Sequence, residues 1–168
     1  MDVLRHMRPN ALYLSVCAAG LLAVSTGYAQ TAVTDPSSVN VCERVPGAEV
    51  AKVLGKPLKS ERPIVFKDSK LSRCVYLLYS GGKPEGATQG LVLWLYAAQE
   101  YAELNKATES KLEPVAGVGD DAVRFLDSGD GRHKLRALRK NRYAVEATAG
   151  DAASALTLAK LAVERFDK

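Results

Sequence analysis

The strongest constraint on the fold is a stretch of the chain, residues 91–96, that is apolar or aromatic at every position. Successive side chains of an extended strand point to opposite faces, so Val92, Trp94 and Tyr96 share one face and the intervening leucines share the other. Apolar side chains on both faces favour a position in the middle of a sheet. The stretch therefore predicts a central strand.

The rest of the chain predicts strands and helices in alternating groups. Further strands are predicted over residues 75–79, 122–126, 135–139 and 143–148, the last two as a hairpin that turns at Asn141. Helices are predicted over residues 47–54 with Gly55 at the end, over 97–108, and over 152–166 with Asp151 as cap. Residues 56–72 are predicted to be irregular, and residues 112–118 to pair weakly. This order indicates an α+β fold, an antiparallel sheet of about five strands with helices packed on one face.

The N-terminal segment 1–29 has the pattern of a cleaved signal peptide. Two arginines precede an apolar run over residues 11–24, and Gly27 and Ala29 occupy the positions that signal peptidase recognises. The apolar run is shorter than the stretch of about 20 residues that spans a bilayer. We therefore expect a periplasmic or secreted protein without a membrane span, whose mature chain starts at Gln30.

The mature chain is expected to consist of a flexible leader, residues 30–40, and one α+β domain, residues 41–168. Removing Arg5, Arg8 and Asp2 with the signal takes the net charge from +4 to +3, since Lys+Arg falls from 23 to 21 and Asp+Glu from 19 to 18. This charge is too small to indicate a nucleic-acid-binding protein.

The mature chain retains two cysteines, Cys42 and Cys74, because Cys17 lies in the signal segment. An even number of cysteines in an exported chain predicts a disulfide. A lipid-modified Cys17 is the alternative for the N-terminus, but Val16 is large for the position before such a cysteine. A redox pair or a zinc site is the alternative for the mature cysteines, but C-x-x-C spacing and a third ligand are both missing.

The sequence indicates no catalytic residue, metal site or cofactor. Residues 117–122 match G-x-G-x-x-A by letter, but a strand rather than a helix is expected to follow, so a glycine turn is favoured over a dinucleotide site. The aspartates at 120, 121, 127 and 130 lack the spacing of a calcium loop and are expected to form turns. His133 has no nucleophile at a known motif spacing, so we expect a protein that is not an enzyme.

One segment near the C-terminus is rich in basic residues and has no acidic residue between them. The basic segment consists of Arg132, Lys134, Arg136, Arg139, Lys140 and Arg142. One interpretation is a solubilising edge, because charged residues on edge strands deter pairing with other chains. The other is a surface that attracts an acidic protein or an anionic envelope component.

Aromatic residues form a second candidate for binding. Trp94 and Tyr96 lie on the predicted central strand, and Tyr76 and Tyr79 lie on its predicted neighbour. Core packing is one interpretation. The other is an aromatic sheet face that binds a partner, because Trp and Tyr combine a large contact area with a polar group.

From Val41 onwards the chain resembles a broad group of small exported actinobacterial-type proteins of unknown function, often lipoproteins. It also resembles, more distantly, the extracellular sensor domain of mycobacterial receptor kinases. The shared features are a helix near a first cysteine, Cys42; a Cys-x-Tyr strand at 74–76; a Gly-x-Gly-Asp-Asp-Ala step at 117–122; a Leu-x-x-Leu-Arg-Lys-Asn hairpin at 135–141; and an Ala-rich last helix. The resemblance implies an α+β domain with a disulfide and without known catalytic residues.

These features predict a non-catalytic binding module for a protein or an envelope component. The candidate binding residues are the basic segment and the aromatic residues Trp94, Tyr76 and Tyr96. The alternative is a carrier of a small molecule or lipid that uses an apolar cleft between sheet and helices, which a cavity lined by Trp94, Tyr76 and Leu side chains would favour. An enzyme would require a cleft that holds His133 beside an aspartate. The oligomeric state cannot be inferred from the sequence.

Overall fold

The computed structural model describes residue 33, residues 35–80 and residues 88–168, and shows an α+β fold with a seven-stranded antiparallel sheet. The strands are β1 (Leu58–Phe66), β2 (Leu71–Tyr79), β3 (Thr88–Tyr96), β4 (Glu113–Pro114), β5 (Asp121–Leu126), β6 (His133–Arg139) and β7 (Tyr143–Ala149). They are ordered β1-β2-β3-β7-β6-β5-β4 across the sheet. The helices are α1 (Val41–Arg44), α2 (Gly47–Leu54), α3 (Glu100–Lys106) and α4 (Ala152–Phe166).

The prediction of about five strands is wrong, because one edge strand was missed and the other lies in a segment that was predicted only to pair weakly. The segment predicted to be irregular, residues 56–72, contains β1, which pairs with β2 only. Pro63 lies inside β1, and an edge strand tolerates a proline because only one of its sides pairs with a neighbour. The strand at the other edge, β4, has two residues, pairs with β5 and lies within residues 112–118, the segment predicted to pair weakly.

One face of the sheet is covered by α1, α2 and α4, and the main core lies between them. Tyr76, Leu93 and Val145 come from three neighbouring strands and are all 0% exposed. Leu158 of α4 is equally buried against them. The bounds predicted for α2 and α4 are confirmed, because Gly55 ends α2 with φ 62° and the Asp151 side chain accepts a hydrogen bond from the Ser154 amide at 2.7 Å.

The remaining helix, α3, lies on the opposite face, so the prediction that the helices share one face is wrong. Tyr101 of α3 is buried against Tyr96 and Ala144, whose side chains alternate with those of Leu95 and Val145. Ala144 is the residue that β7 contributes to this cluster. The sheet therefore has a second, smaller apolar cluster behind the main core.

The predicted disulfide is confirmed. Cys42 of α1 is bonded to Cys74 of β2, and their Cα atoms are 5.1 Å apart. The two residues are separated by 32 positions in the sequence, so the bond closes a long loop. In the chain-entropy model such a bond stabilises the fold by about 3.5–4 kcal/mol, because it restricts the unfolded chain.

The ordered fold begins before Val41. The amide of Val33 donates to the carbonyl of Arg142 at 2.7 Å, and Pro36 is buried at the start of a 3-10 turn. The described part of the predicted flexible leader thus packs on the domain. The predicted signal peptide, residues 1–29, lies outside the described residues. In the part of the chain that the structure describes, no helix has both the length and the apolar character needed to cross a bilayer.

Candidate functional site

The basic segment is not a free cationic surface, because most of its members form ion pairs with acids from distant parts of the chain. The pairs are Lys134 Nζ with Asp127 at 2.5 Å, Arg136 with Glu146 at 2.5 Å, Arg139 with Asp120 at 2.9 Å and with Asp167 at 2.5 Å, and Arg142 with Asp167 at 2.7 Å. Arg132 donates to the backbone carbonyl of Gly90, and Lys140 is exposed. No acidic residue lies within the segment, but the fold brings acidic residues from outside it next to its basic side chains.

Arg136 departs furthest from the prediction of an exposed basic face, since it is 4% exposed. Its Nε and Nη2 atoms donate to the same carboxylate oxygen of Glu146, at 3.0 and 2.5 Å. Its Nη1 donates to Asn105 of α3 at 2.7 Å, and its guanidinium lies 5.1 Å from the centre of the Phe125 ring. The expectation that Arg136 is exposed is therefore wrong, and the side chain links β6, β7 and α3.

Arg139 and Arg142 bind the end of α4 to the β6–β7 turn. Both donate to the carboxylate of Asp167, as does the hydroxyl of Tyr143. Burial raises the pKa of Asp167, but the hydrogen bonds from Arg139 and Tyr143 outweigh it and hold that pKa below its ordinary value. The predicted turn is confirmed, with Asn141 at φ 60°. These arginines therefore hold the C-terminal end of α4 against the β6–β7 turn.

The aromatic candidates lie on both faces of the sheet. Tyr76 points into the main core, where it is 0% exposed and its hydroxyl donates to the Val45 carbonyl at 2.7 Å. Burial raises the pKa of Tyr76. Tyr96 points to the opposite face and is buried under α3, whereas Trp94 on that face is partly exposed. Only Trp94 of the three is placed to touch a partner without rearrangement.

Trp94 belongs to a surface that the sequence indicated only in part, through Trp94 and Tyr79. We define the open face as the side of β1, β2 and β3 that points away from α1, α2 and α4. Its partly exposed side chains are those of Ile64, Phe66, Leu71, Arg73, Val75, Leu77, Tyr79, Val92 and Trp94. It is continuous with the apolar cluster under α3 through the stacked rings of Trp94 and Tyr96, whose centres are 6.1 Å apart.

Arg73 is the chemically distinctive residue of the open face. Its guanidinium lies 4.5 Å from the centre of the Trp94 ring and 5.3 Å from that of Phe66, and the two rings are themselves 5.8 Å apart. Both contacts are within the range of cation–π attraction. Its Nε atom is buried and has no hydrogen-bond partner among the described residues. The register places Arg73 directly opposite Trp94, and this pairing could not be read from the sequence.

The open face also carries unbalanced positive charge. Arg62 lies opposite Val75 and is exposed, and the Lys59 amino group is 5.9 Å from the centre of the Tyr79 ring. On this side of the sheet, Glu146 lies opposite Trp94 in register, but it is buried and already paired. Glu61, next to Arg62 on β1, alternates to the other side, where it accepts a hydrogen bond from the Gly47 amide. Among the described residues, none of the salt bridges involves Lys59, Arg62 or Arg73.

The aspartates and glycines that were predicted to form turns lie in turns. The Asp127 carboxylate accepts hydrogen bonds from Lys134 and from the Gly129 and Asp130 amides, and these lower the pKa of Asp127 to about 2. Gly119 has φ 64° in the turn that leads into β5. Among the described residues, one group has the composition of a metal site: Cys42, Glu61 and Cys74 offer ligand atoms within 4.8 Å of one another. Because the two sulfur atoms are bonded to each other, this group does not offer thiolate ligands.

A cleft of about 690 Å³ lies between the β4–β5–β6 end of the sheet and the start of α4. Leu126, His133 and Leu135 of the sheet form one wall, and Ala153 and Leu156 of α4 form another. Of the lining that would favour a carrier, the leucine side chains are present and Trp94 and Tyr76 are not. The described lining residues include His133 but no aspartate, which the enzyme alternative required.

The fold and these surfaces define a disulfide-bonded α+β domain with one helix-free sheet region and one lateral cleft. No family model matches the chain, and comparisons with curated proteins and with solved structures found no match. The family resemblance therefore stays a prediction.

Proposed function

We propose that the protein is a non-catalytic exported binding module that recognises an acidic segment of an envelope protein through its open face. The observation that carries this proposal is the position of Arg73 beside the stacked rings of Phe66 and Trp94, at a point where no salt bridge among the described residues involves it. The guanidinium lies to one side of both rings, and its Nε atom is buried, so the two terminal nitrogens are the groups left for a partner. The terminal N–H groups of an arginine match a carboxylate, which accepts two parallel hydrogen bonds.

The composition of the open face supports a protein partner. Partly exposed apolar and aromatic side chains surround Arg73, and such residues together with arginine are enriched at the centres of protein interfaces. Lys59 and Arg62 add positive charge at its β1 border. An acidic partner would be attracted over the screening length of about 8 Å at physiological salt.

Binding through the face is favoured over addition of a strand to the edge. The free edge of the sheet on this side is β1, which contains Lys59, Arg62 and Pro63. Charged residues and proline on an edge strand prevent pairing with another chain. A partner would therefore lie across the side chains of the open face.

Export is part of the proposal. The Cys42–Cys74 disulfide is typical of proteins in oxidising compartments, and the signal-peptide pattern of residues 1–29 supports the same location.

Binding of poly-L-glutamate, measured by biolayer interferometry at low and at physiological salt, tests the charge chemistry of the open face. We expect R73Q and R62Q together to weaken binding at least fivefold, and K52Q to leave it unchanged. Lys52 is the matched control because it is an exposed cation on α2, on the other side of the sheet.

A photo-crosslinker placed at Val75 would then identify the envelope partner, with one at position 52 as its control. Equal losses in the arginine double variant and in K52Q would contradict the proposal. Cross-linking from position 75 to proteins that lack acidic segments would also contradict it.

A further inference from the structure

The lateral cleft exists because the sheet is wider than the helix layer that covers it. Helix α4 packs on β6, β7 and β3, while β5 and β4 extend past it. The first turn of α4 carries the small residues Ala152 and Ala153, which leave space between helix and sheet. The segment that contains Lys111 and Val115 closes the third side.

The inside of the cleft is apolar. Leu135, Ala155 and Leu156 form its floor, and all three belong to the main core or pack against it. Leu126 also lines it and is 52% exposed, which makes it one of the few large apolar side chains among the described residues that are mostly in water. A volume of about 690 Å³ is within the range of small-molecule sites in proteins.

The rim of the cleft is polar and more positive than negative. Its one described acid, Glu113, is paired with Arg124 at 3.0 Å, and Lys134 is paired with Asp127 outside the lining. Lys111 is exposed and has no ion pair or side-chain hydrogen bond among the described residues. The His133 imidazole is partly buried and likewise has no such partner among them. The groups left for a ligand are therefore hydrogen-bond donors and a positive charge.

We infer that this cleft binds a free alkyl carboxylate, with the chain against Leu126, Leu135 and Leu156 and the carboxylate at the rim near Lys111. An amphipathic monocarboxylate matches both the apolar wall and the positive rim of the cleft. Its alkyl chain buries apolar surface against the wall, and its carboxylate pairs with the Lys111 amino group. This site is separate from the open face and does not depend on the function proposed for it.

Isothermal titration calorimetry of the mature protein with sodium decanoate, below its micelle concentration, tests the inference. We expect saturable binding with one molecule per chain, at least tenfold tighter than that of 1-decanol. The alcohol has the same chain without the charge, so the ratio isolates the contribution of the carboxylate. K111Q should reduce this ratio to about threefold or less, and K67Q, a neutralised lysine in the β1–β2 turn, should keep it.

A second pair of variants tests the apolar wall. L126D places a negative charge in the cleft and should abolish decanoate binding, whereas V65D should preserve it. Val65 is the matched control because it is also a largely exposed apolar residue, at 43%, on a strand at the other end of the sheet. Both variants are expected to fold, since neither side chain is buried.

Absence of saturable decanoate binding, equal affinity for 1-decanol, or equal effects of L126D and V65D would each overturn the inference. The R73Q variant separates it from the proposed function. Decanoate binding should be unchanged in R73Q, and loss of poly-L-glutamate binding without loss of decanoate binding would show that the two sites are independent.

Discussion

Breaking the buried Arg136–Glu146 pair should destabilise the domain far more than breaking an exposed pair of the same type. The two side chains are 5% and 6% exposed, and the residues lie directly opposite each other on β6 and β7. Arg124 and Glu113 make an equivalent pair across β5 and β4, but they are 57% and 46% exposed. The chain thus contains a matched control in which burial is the main difference.

The expected cost follows from what each single change leaves behind. E146L leaves the Arg136 guanidinium charged and buried, and removal of one partner of a buried pair costs about 3–5 kcal/mol. R136M leaves the Glu146 carboxylate charged and buried without its partner in the same way. It also removes the hydrogen bond from Arg136 to Asn105, which is worth about 0.5–1.5 kcal/mol. The double variant leaves no uncompensated charge. We therefore expect it to cost at least about 2 kcal/mol less than the two single changes added together.

The assay is urea unfolding followed by the fluorescence of Trp94, the single tryptophan of the chain. Trp94 lies opposite Glu146 in register, so its signal reports on this part of the sheet. For a domain of this size each kcal/mol corresponds to about 2–4 °C in Tm, so calorimetry checks the same values independently.

The control cycle, R124M with E113L, should give single effects and a coupling of about 0–1 kcal/mol. The reasoning is refuted if the coupling energy of the Arg136–Glu146 cycle is no larger than that of the control. It is also refuted if R136M and E146L each cost less than about 1 kcal/mol, because burial would then not decide the value of the pair.

Two further outcomes are expected from local geometry. G119A should lower the free energy of unfolding in urea by at least about 2 kcal/mol more than G55A does. Both glycines have positive φ, so an alanine is strained at either position. At Gly119 a Cβ would in addition lie 2.5 Å from the Leu138 carbonyl oxygen, whereas a Cβ at Gly55 would have no neighbour within 4 Å. The pKa of Asp127, held at about 2 by the hydrogen bond from Lys134, should rise towards 3.8 in K134M, as measured by NMR titration of the carboxylate. Because this folded-state pKa is depressed, Asp127 stabilises the fold fully above about pH 4 and loses that contribution as the pH falls towards 2. An unchanged titration in K134M, or equal losses in the two glycine variants, would contradict these expectations.

The local elements were predictable because their signals act over a few residues. Asp151 caps α4 through an amide three positions away, Gly55 ends α2 through its own backbone conformation, and Asn141 adopts the left-handed turn between β6 and β7. The disulfide followed from the number of cysteines and the expected compartment, and the bond between Cys42 and Cys74 confirms it. In each case the information lies in the residue type itself.

The assignment of residues to faces and partners was decided by tertiary structure. Arg139 meets Asp120 across 19 positions and Asp167 across 28, so a segment without acids became a set of ion pairs. Arg73 faces Trp94 only because of the β2–β3 register, and a shift of one residue would send every side chain of a strand to the other face. The sequence by itself determined where most helices and strands form. Which side chains are buried, paired or left open depends on long-range pairing, because hydrogen bonds and burial act between residues that the sequence keeps far apart.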